Sequence, residues 1–217
     1  MKIKVCGMKD QENIEAISQL EVDYLGFIFY KASPRYAETP VHLPENVQKV
    51  GVFVNETQES ILEKVKQFGL DIIQLHGHET PSFCEDISEA LAKNGYPKVE
   101  LWKVFSIKTA EDFKGVEAYS FYVNKYLLDT KGEYRGGNGQ KFDWQMLYQM
   151  DFSKPVMLSG GIGPEDAKAV VKLYQDGVIE GVDVNSGFED KPGFKNKTAI
   201  NKFIKSFVIC AILAHKF

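Results

Sequence analysis

Eight short runs of β-branched and aromatic residues recur along the 217-residue chain, and helix-patterned segments separate most of them. The runs are IKVC (3–6), YLGFIFY (24–30), VGVFVN (50–55), DIIQLHG (71–77), VELWKVF (99–105), YLLDT (126–130), PVMLSGG (155–161) and IEGVDVNSG (179–187). Turn residues bound them, as they bound strands. Between them Asp10, Thr57 and Thr80-Pro81 precede apolar residues at helical spacing, such as Phe83, Ile87 and Leu91. Thr109 and Asp143 open a fourth and a fifth helical segment, and Gly163-Pro164-Glu165 opens a sixth with proline in its first turn. A last helix starts near Lys197, with FVICAILA (207–214) as its buried face. The stretch 40–48, with two prolines, has the weakest helical pattern.

Strands alternating with helices, without a composition break, predict an α/β fold: a (β/α)8 TIM barrel formed as one compact domain over residues 1–217. A doubly wound open sheet is the runner-up. It usually has five to seven strands and a GxGxxG turn after the first, which this chain lacks.

Composition narrows the function classes. A net charge of -4 disfavours nucleic acid as a partner, since a basic stripe is its usual footprint. The longest apolar stretch is too short to span a bilayer, and the first residues lack a signal-peptide core. Three cysteines without CxxC spacing suggest neither a disulfide framework nor a zinc site. The expectation is a cytoplasmic protein with no membrane partner and no metal.

Barrels bind ligands at the C-terminal ends of their strands. Here those ends carry Cys6-Gly7, Tyr30, Asn55, His76-Gly77, Asp129-Thr130, Ser159-Gly160-Gly161, and Asp183 with Asn185-Ser186-Gly187. LSGGIGPEDA and VNSGFE follow strands seven and eight. Their glycines let backbone N–H groups approach an anion, and Ser186 adds a hydroxyl, so the pair points to phosphate.

Cys6 alone could be a small buried hydrophobe, and Asp129 a turn cap. Their strands, however, stand three apart around a ring in which the two backbones would lie roughly 14 Å from each other, a gap suited to a sugar skeleton. As a base, Cys6 must be a thiolate, with its pKa depressed by nearby positive charge. As an acid, Asp129 needs burial. Lys4 shares the parity of Cys6 and could supply that charge, or pair with an inward carboxylate such as Asp183. Arg35, in YKASPRY, fits either a carboxylate clamp or a solvated loop. His76 fits either a positioning role or a histidine satisfied by its own turn.

The motifs KVCGMKD, GFIFYKASPRY, VGVFVN, QLHG, LLDTKGEYRGGNGQKFDW, LSGGIGPEDA and GVDVNSGFE, in that order from residue 2 to about 190, resemble the phosphoribosylanthranilate isomerase family of tryptophan biosynthesis. The resemblance implies an Amadori rearrangement of N-(5-phosphoribosyl)anthranilate, a small phosphosugar substrate. It makes Asp129 the general acid that opens the furanose and Cys6 the general base at C2. The iminium is then the electron sink, and no cofactor is needed. It also places Gly160, Gly161, Asn185 and Ser186 at the phosphate, Arg35 at the anthranilate carboxylate, and His76 and Asp183 among the substrate-binding positions. The chain would act as a monomer or a homodimer. Met8 and Phe188 depart from the usual pattern, at positions compatible with catalysis. An isomerase of histidine biosynthesis would want an aspartate where Cys6 stands and two similar phosphate halves, neither of which is seen. A barrel that only binds a phosphosugar is the non-enzymatic alternative; Cys6 and Asp129 at matched strand ends argue against it.

Overall fold

The computed structural model describes residues 1–44, 46–130 and 141–214, and for residues 208–214 the backbone alone. Eight parallel strands close into a barrel in sequence order: β1 (Lys2–Val5), β2 (Tyr24–Ile28), β3 (Gln48–Phe53), β4 (Ile72–Leu75), β5 (Glu100–Ile107), β6 (Lys125–Thr130), β7 (Val156–Leu158) and β8 (Gly181–Val184). Each predicted run overlaps one of them. Several ladders stop before the end of their run: YLGFIFY pairs only through Ile28, and PVMLSGG only through Leu158. Of the residues beyond, Tyr30, Ser159, Gly160 and Gly161 line the mouth. Closure is made by β1 against β8, with Lys4 beside Asp183 and Val5 beside Val184.

Alternation along the strands divides the core in two. Side chains of one parity form an inner plug of Tyr24, Val50, Ile72, Trp102, Val104, Leu127 and Met157. Tyr24 packs edge-on against Trp102, ring centroids 5.0 Å apart. The opposite parity faces the helices and joins the larger cluster that includes Phe27, Phe53, Ile73, Leu128 and Val182. The plug fills the barrel from below, so a ligand can enter only at the C-terminal mouth.

The helix signals differ in outcome. Asp10, Thr57 and Thr80 cap α1 (Gln11–Ser18), α2 (Gln58–Phe68) and α3 (Pro81–Lys93), each accepting a backbone N–H three residues on. Thr109 and Asp143 open only 3-10 turns, Ala110–Phe113 and Trp144–Gln149, and a further turn covers Val116–Tyr119. Gly115 separates the turns Ala110–Phe113 and Val116–Tyr119 with φ of +86°. Gly163-Pro164 leads through a 3-10 turn (Pro164–Asp166) into α4 (Ala167–Gln175). The described part of 40–48 is not helical.

After β8 the chain forms a small antiparallel hairpin, β9 (Glu189–Lys191) and β10 (Phe194–Lys195), before α5 (Lys197–Ala214). The burial expected of FVICAILA falls mainly on side chains outside the described residues, as does most of the glycine-rich loop that follows Thr130. No helix among the described residues is long and apolar enough to cross a membrane.

Candidate active site

One cavity of about 510 Å³ opens at the mouth of the barrel. Cys6, Arg35, His76, Asp129, Gly160, Gly161, Asp183, Asn185 and Ser186 all line it, so the nine catalytic and substrate-binding candidates meet in one place, whereas the strand-end residues Asn55, Gly77 and Thr130 are not part of its lining. Gln74, Tyr30 and Ser33 line it as well. A hollow of about 550 Å³ lies elsewhere, between the Trp144–Gln149 turn and the segments preceding β7 and β8. Its lining holds no thiol and no glycine turn between a strand and a helix, which leaves the mouth as the candidate site.

Cys6 directly follows β1 and points inward with the parity of Lys4. Lys4 is wholly buried and donates to Asp183 Oδ2 at 2.9 Å. Gly26 on β2 makes room for both neighbours: a Cβ there would stand 2.9 Å from Cys6 Sγ, 2.9 Å from Lys4 Nζ and 3.0 Å from the Cys6 Cα. Two of these atoms are fixed, one by the ion pair and one by the backbone. Gly26→Ala should therefore cost about 1–3 kcal/mol of stability through overpacking. Urea denaturation checks this, and an unchanged midpoint would mean that the pair has room to give.

The thiol's protonation departs from the sequence expectation. Burial pushes the Cys6 pKa up, and although Lys4, hydrogen-bonded to the sulfur, and Lys195 pull it down, the balance lies above the ordinary value. Burial thus favours the thiol over the thiolate that a base requires. Both cations sit where the expectation needed them, but the cost of removing a charge from water exceeds their pull. Lys4 keeps its proton: burial opposes the ammonium, but Asp183 and Cys6 more than offset it, and its pKa is raised. Burial also raises Asp183, with Lys4 pulling the other way.

Asp129, on β6, is buried across the cavity from Cys6. His76 Nε2 lies 3.1 Å from its Oδ2, and the His76 backbone N–H is tied to Phe53 O at 2.8 Å. The histidine thus holds the carboxyl in place, which favours its positioning role. Gly160 (φ +86°) and Gly161 (φ +68°) both take left-handed conformations. A Cβ on Gly160 would stand 2.4 Å from Asp129 Oδ1 and 2.4 Å from the Thr130 nitrogen, so only glycine lets this turn close against the acid. The next turn, Ser186–Phe188, brings Ser186 to the same rim.

Arg35 is neither a solvated loop residue nor a guanidinium without a partner. Its Nε lies 2.9 Å from Glu189 Oε1 and its Nη2 lies 2.6 Å from Glu189 Oε2. The hairpin that supplies Glu189 also supplies Lys195, whose buried Nζ donates to Glu189 Oε1 and to Asn185 Oδ1, both at 2.6 Å. Burial opposes the Glu189 charge, but Arg35, Lys195 and the Gly193 N–H overcome it and hold its pKa below the ordinary value. Burial lowers the Lys195 pKa, with Glu189 pulling it back.

Sequence reasoning missed Glu189, Lys195 and Gln74. Pro192-Gly193 is a turn signal that could have placed the hairpin. Gln74, two residues before His76, has the same inward parity. Two buried acceptors on residues that line the cavity, Gln74 Oε1 and Asp183 Oδ1, have no hydrogen-bond partner among the described residues. Such atoms cost about 1–3 kcal/mol each unless a ligand's donor meets them. Among the described residues no cluster of His, Cys, Asp and Glu is arranged to hold a metal ion.

A closed eight-stranded parallel barrel, with a thiol, a carboxyl and the glycine turns after β7 and β8 gathered at its C-terminal mouth, defines a (β/α)8 barrel with its candidate site where such barrels bind ligands. Residues 3–206 match the family model described as N-(5'phosphoribosyl)anthranilate (PRA) isomerase. The N-(5'-phosphoribosyl)anthranilate isomerase of Parabacteroides distasonis is 41% identical over 219 residues, spanning 98% of this chain and 96% of that protein. Among solved structures, phosphoribosyl anthranilate isomerase from Thermotoga maritima aligns with a TM-score of 0.81 at 31% identity, covering 96% of this chain and 98% of that one. A phosphoribosyl anthranilate isomerase in complex with reduced 1-(o-carboxyphenylamino)-1-deoxyribulose 5-phosphate aligns with a TM-score of 0.79 at 30% identity, with the same coverage. The chain belongs to the N-(5'-phosphoribosyl)anthranilate isomerase family, a family of enzymes.

Proposed function

We propose that this protein rearranges N-(5-phosphoribosyl)anthranilate to 1-(2-carboxyphenylamino)-1-deoxyribulose 5-phosphate in tryptophan biosynthesis, with Asp129 as general acid and Cys6 as general base. The observation that carries the reading is the placement of these two groups on β6 and β1, across one cavity, with glycine turns at its rim.

Asp129, in its acid form, protonates the furanose ring oxygen and the ring opens to an iminium at C1. The Cys6 thiolate removes the proton from C2, and the electron pair moves into the C1–C2 bond to give an enolamine. Protonation at C1 and loss of the O2 proton then give the ketose. No atom is gained or lost, and the iminium nitrogen takes up the electrons. A positive iminium near Sγ favours the thiolate, so the base is formed best when the substrate is in place.

The phosphate fits the turns of Gly160 and Gly161 and of Asn185 and Ser186, where backbone N–H groups can approach. Gln74 and Asp183, on the cavity wall between the two ends, are placed beside the ribose. Arg35 engages Glu189 through its Nε–Nη2 edge, which leaves the Nη1–Nη2 edge for the anthranilate carboxylate. Consumption of freshly generated substrate, followed by loss of anthranilate fluorescence, tests the reading. No consumption by the folded protein would leave the phosphosugar-binding alternative.

The thiol gives the reaction a pH dependence. Because burial raises the Cys6 pKa in the free protein, the active thiolate fraction grows as pH rises, and kcat/KM should climb through the usual thiol range of about 8–9 without levelling. Lys4→Met removes a charge that favours the thiolate and should move this limb to higher pH. A limb complete below pH 7 would contradict both statements.

A further inference from the structure

The Arg35 guanidinium is one member of a connected polar cluster. Glu189 takes its Nε–Nη2 edge, Lys195 Nζ binds both Glu189 and Asn185, and the Gly193 N–H adds a third donor to Glu189 at 2.9 Å. The hairpin strand that carries Lys195 is itself pinned: Asn13 Nδ2 donates to Lys195 O at 2.9 Å, and the Lys195 N–H donates to Asn13 Oδ1 at 2.8 Å. Lys195 and Glu189 have side chains 0% and 5% exposed, so neither meets solvent to any extent. They are not surface decoration.

We propose that Glu189 and Lys195 are positioning residues for the carboxylate end of the substrate. Glu189 turns the Arg35 guanidinium side-on so that its end faces the cavity, and Lys195 locks Glu189 while holding Asn185 at the phosphate rim. The proposal rests on the isomerase reading and deepens it. A guanidinium on a loop has several rotamers, and fixing one in advance removes an ordering cost from binding. Charge supports the same assignment. Arg35 and Lys195 carry two positive charges against one on Glu189, so the cluster keeps a surplus that a single substrate carboxylate neutralises. Arg35 with Glu189 alone would be a closed, neutral pair with little attraction for an anion. Lys195 also links the two anchors: the group that fixes the carboxylate clamp touches Asn185, which lines the phosphate end.

The test compares the anthranilate adduct with the adduct of aniline, which lacks the carboxylate, in the parent, Glu189→Gln and Lys195→Met, each checked for folding by circular dichroism. Glu189→Gln keeps the size of the side chain and can still accept a hydrogen bond, so it is the variant expected to fold if Lys195→Met does not. The ratio of kcat/KM for the two adducts should fall by about tenfold in each folded variant, mainly through KM for the anthranilate adduct. Equal losses on both adducts would mean that the cluster only supports the fold, and would overturn the proposal. An unchanged ratio, or a lower KM in Glu189→Gln from the gain in net positive charge, would overturn it too. A folded parent that turns over neither adduct would overturn the isomerase reading, and the proposal with it. A parent that turns over both equally would show that Arg35 reads no carboxylate, and would refute the proposal while leaving the isomerase reading intact.

Discussion

Cys6→Ala should lower turnover of phosphoribosylanthranilate by at least about two orders of magnitude while leaving binding of a reduced product analogue within a few-fold. The substitution removes one buried sulfur at the end of β1 and leaves Lys4 paired to Asp183, so the walls of the cavity persist. Among the described residues that line the cavity, the other acid–base candidates are engaged elsewhere. His76 is engaged with Asp129, and Asp183 with Lys4. Cys6→Ser would keep the shape, but its hydroxyl ionises far less readily than a thiol, so it should fare little better. Parallel measurements of kcat and analogue affinity decide the matter. A variant that binds and turns over like the parent would return Cys6 to the role of a small buried side chain.

Asp129→Asn should produce a loss of similar size by a different route. The amide keeps the volume, which matters because Gly160 presses on this side chain, and it can still hydrogen-bond His76. It cannot deliver a proton to the ring oxygen. Ring opening should become rate-limiting, and turnover should fall by at least about 10²-fold with analogue binding nearly intact. The reaction of an already opened Schiff base should suffer far less than that of the furanose. Turnover within a few-fold of the parent would take the acid role away from Asp129.

The architecture was readable because β-branched runs and capped amphipathic segments are local signals. Asp10, Thr57 and Thr80 each cap the helix their position implied. Thr109 and Asp143 misled because a cap and a little apolar spacing do not secure four turns of helix. After Thr109 two short 3-10 turns cover the barrel instead. The cavity residues were readable because barrel topology sends every strand end to the same mouth. Two things were not. The Arg35–Glu189 pair joins positions 154 residues apart, and nothing in either neighbourhood names the other. The direction of the Cys6 pKa depends on burial outweighing the pull of Lys4 and Lys195, and burial shows only in three dimensions.

The most direct test follows single turnovers of C2-protiated and C2-deuterated phosphoribosylanthranilate by fluorescence, in the parent and in Cys6→Ala. The account predicts decay several-fold slower for the deuterated substrate in the parent, and almost no decay of either in the variant, because the bond that breaks is C2–H and the thiolate breaks it. Equal decay of both substrates, at the same rate with and without the thiol, would contradict it.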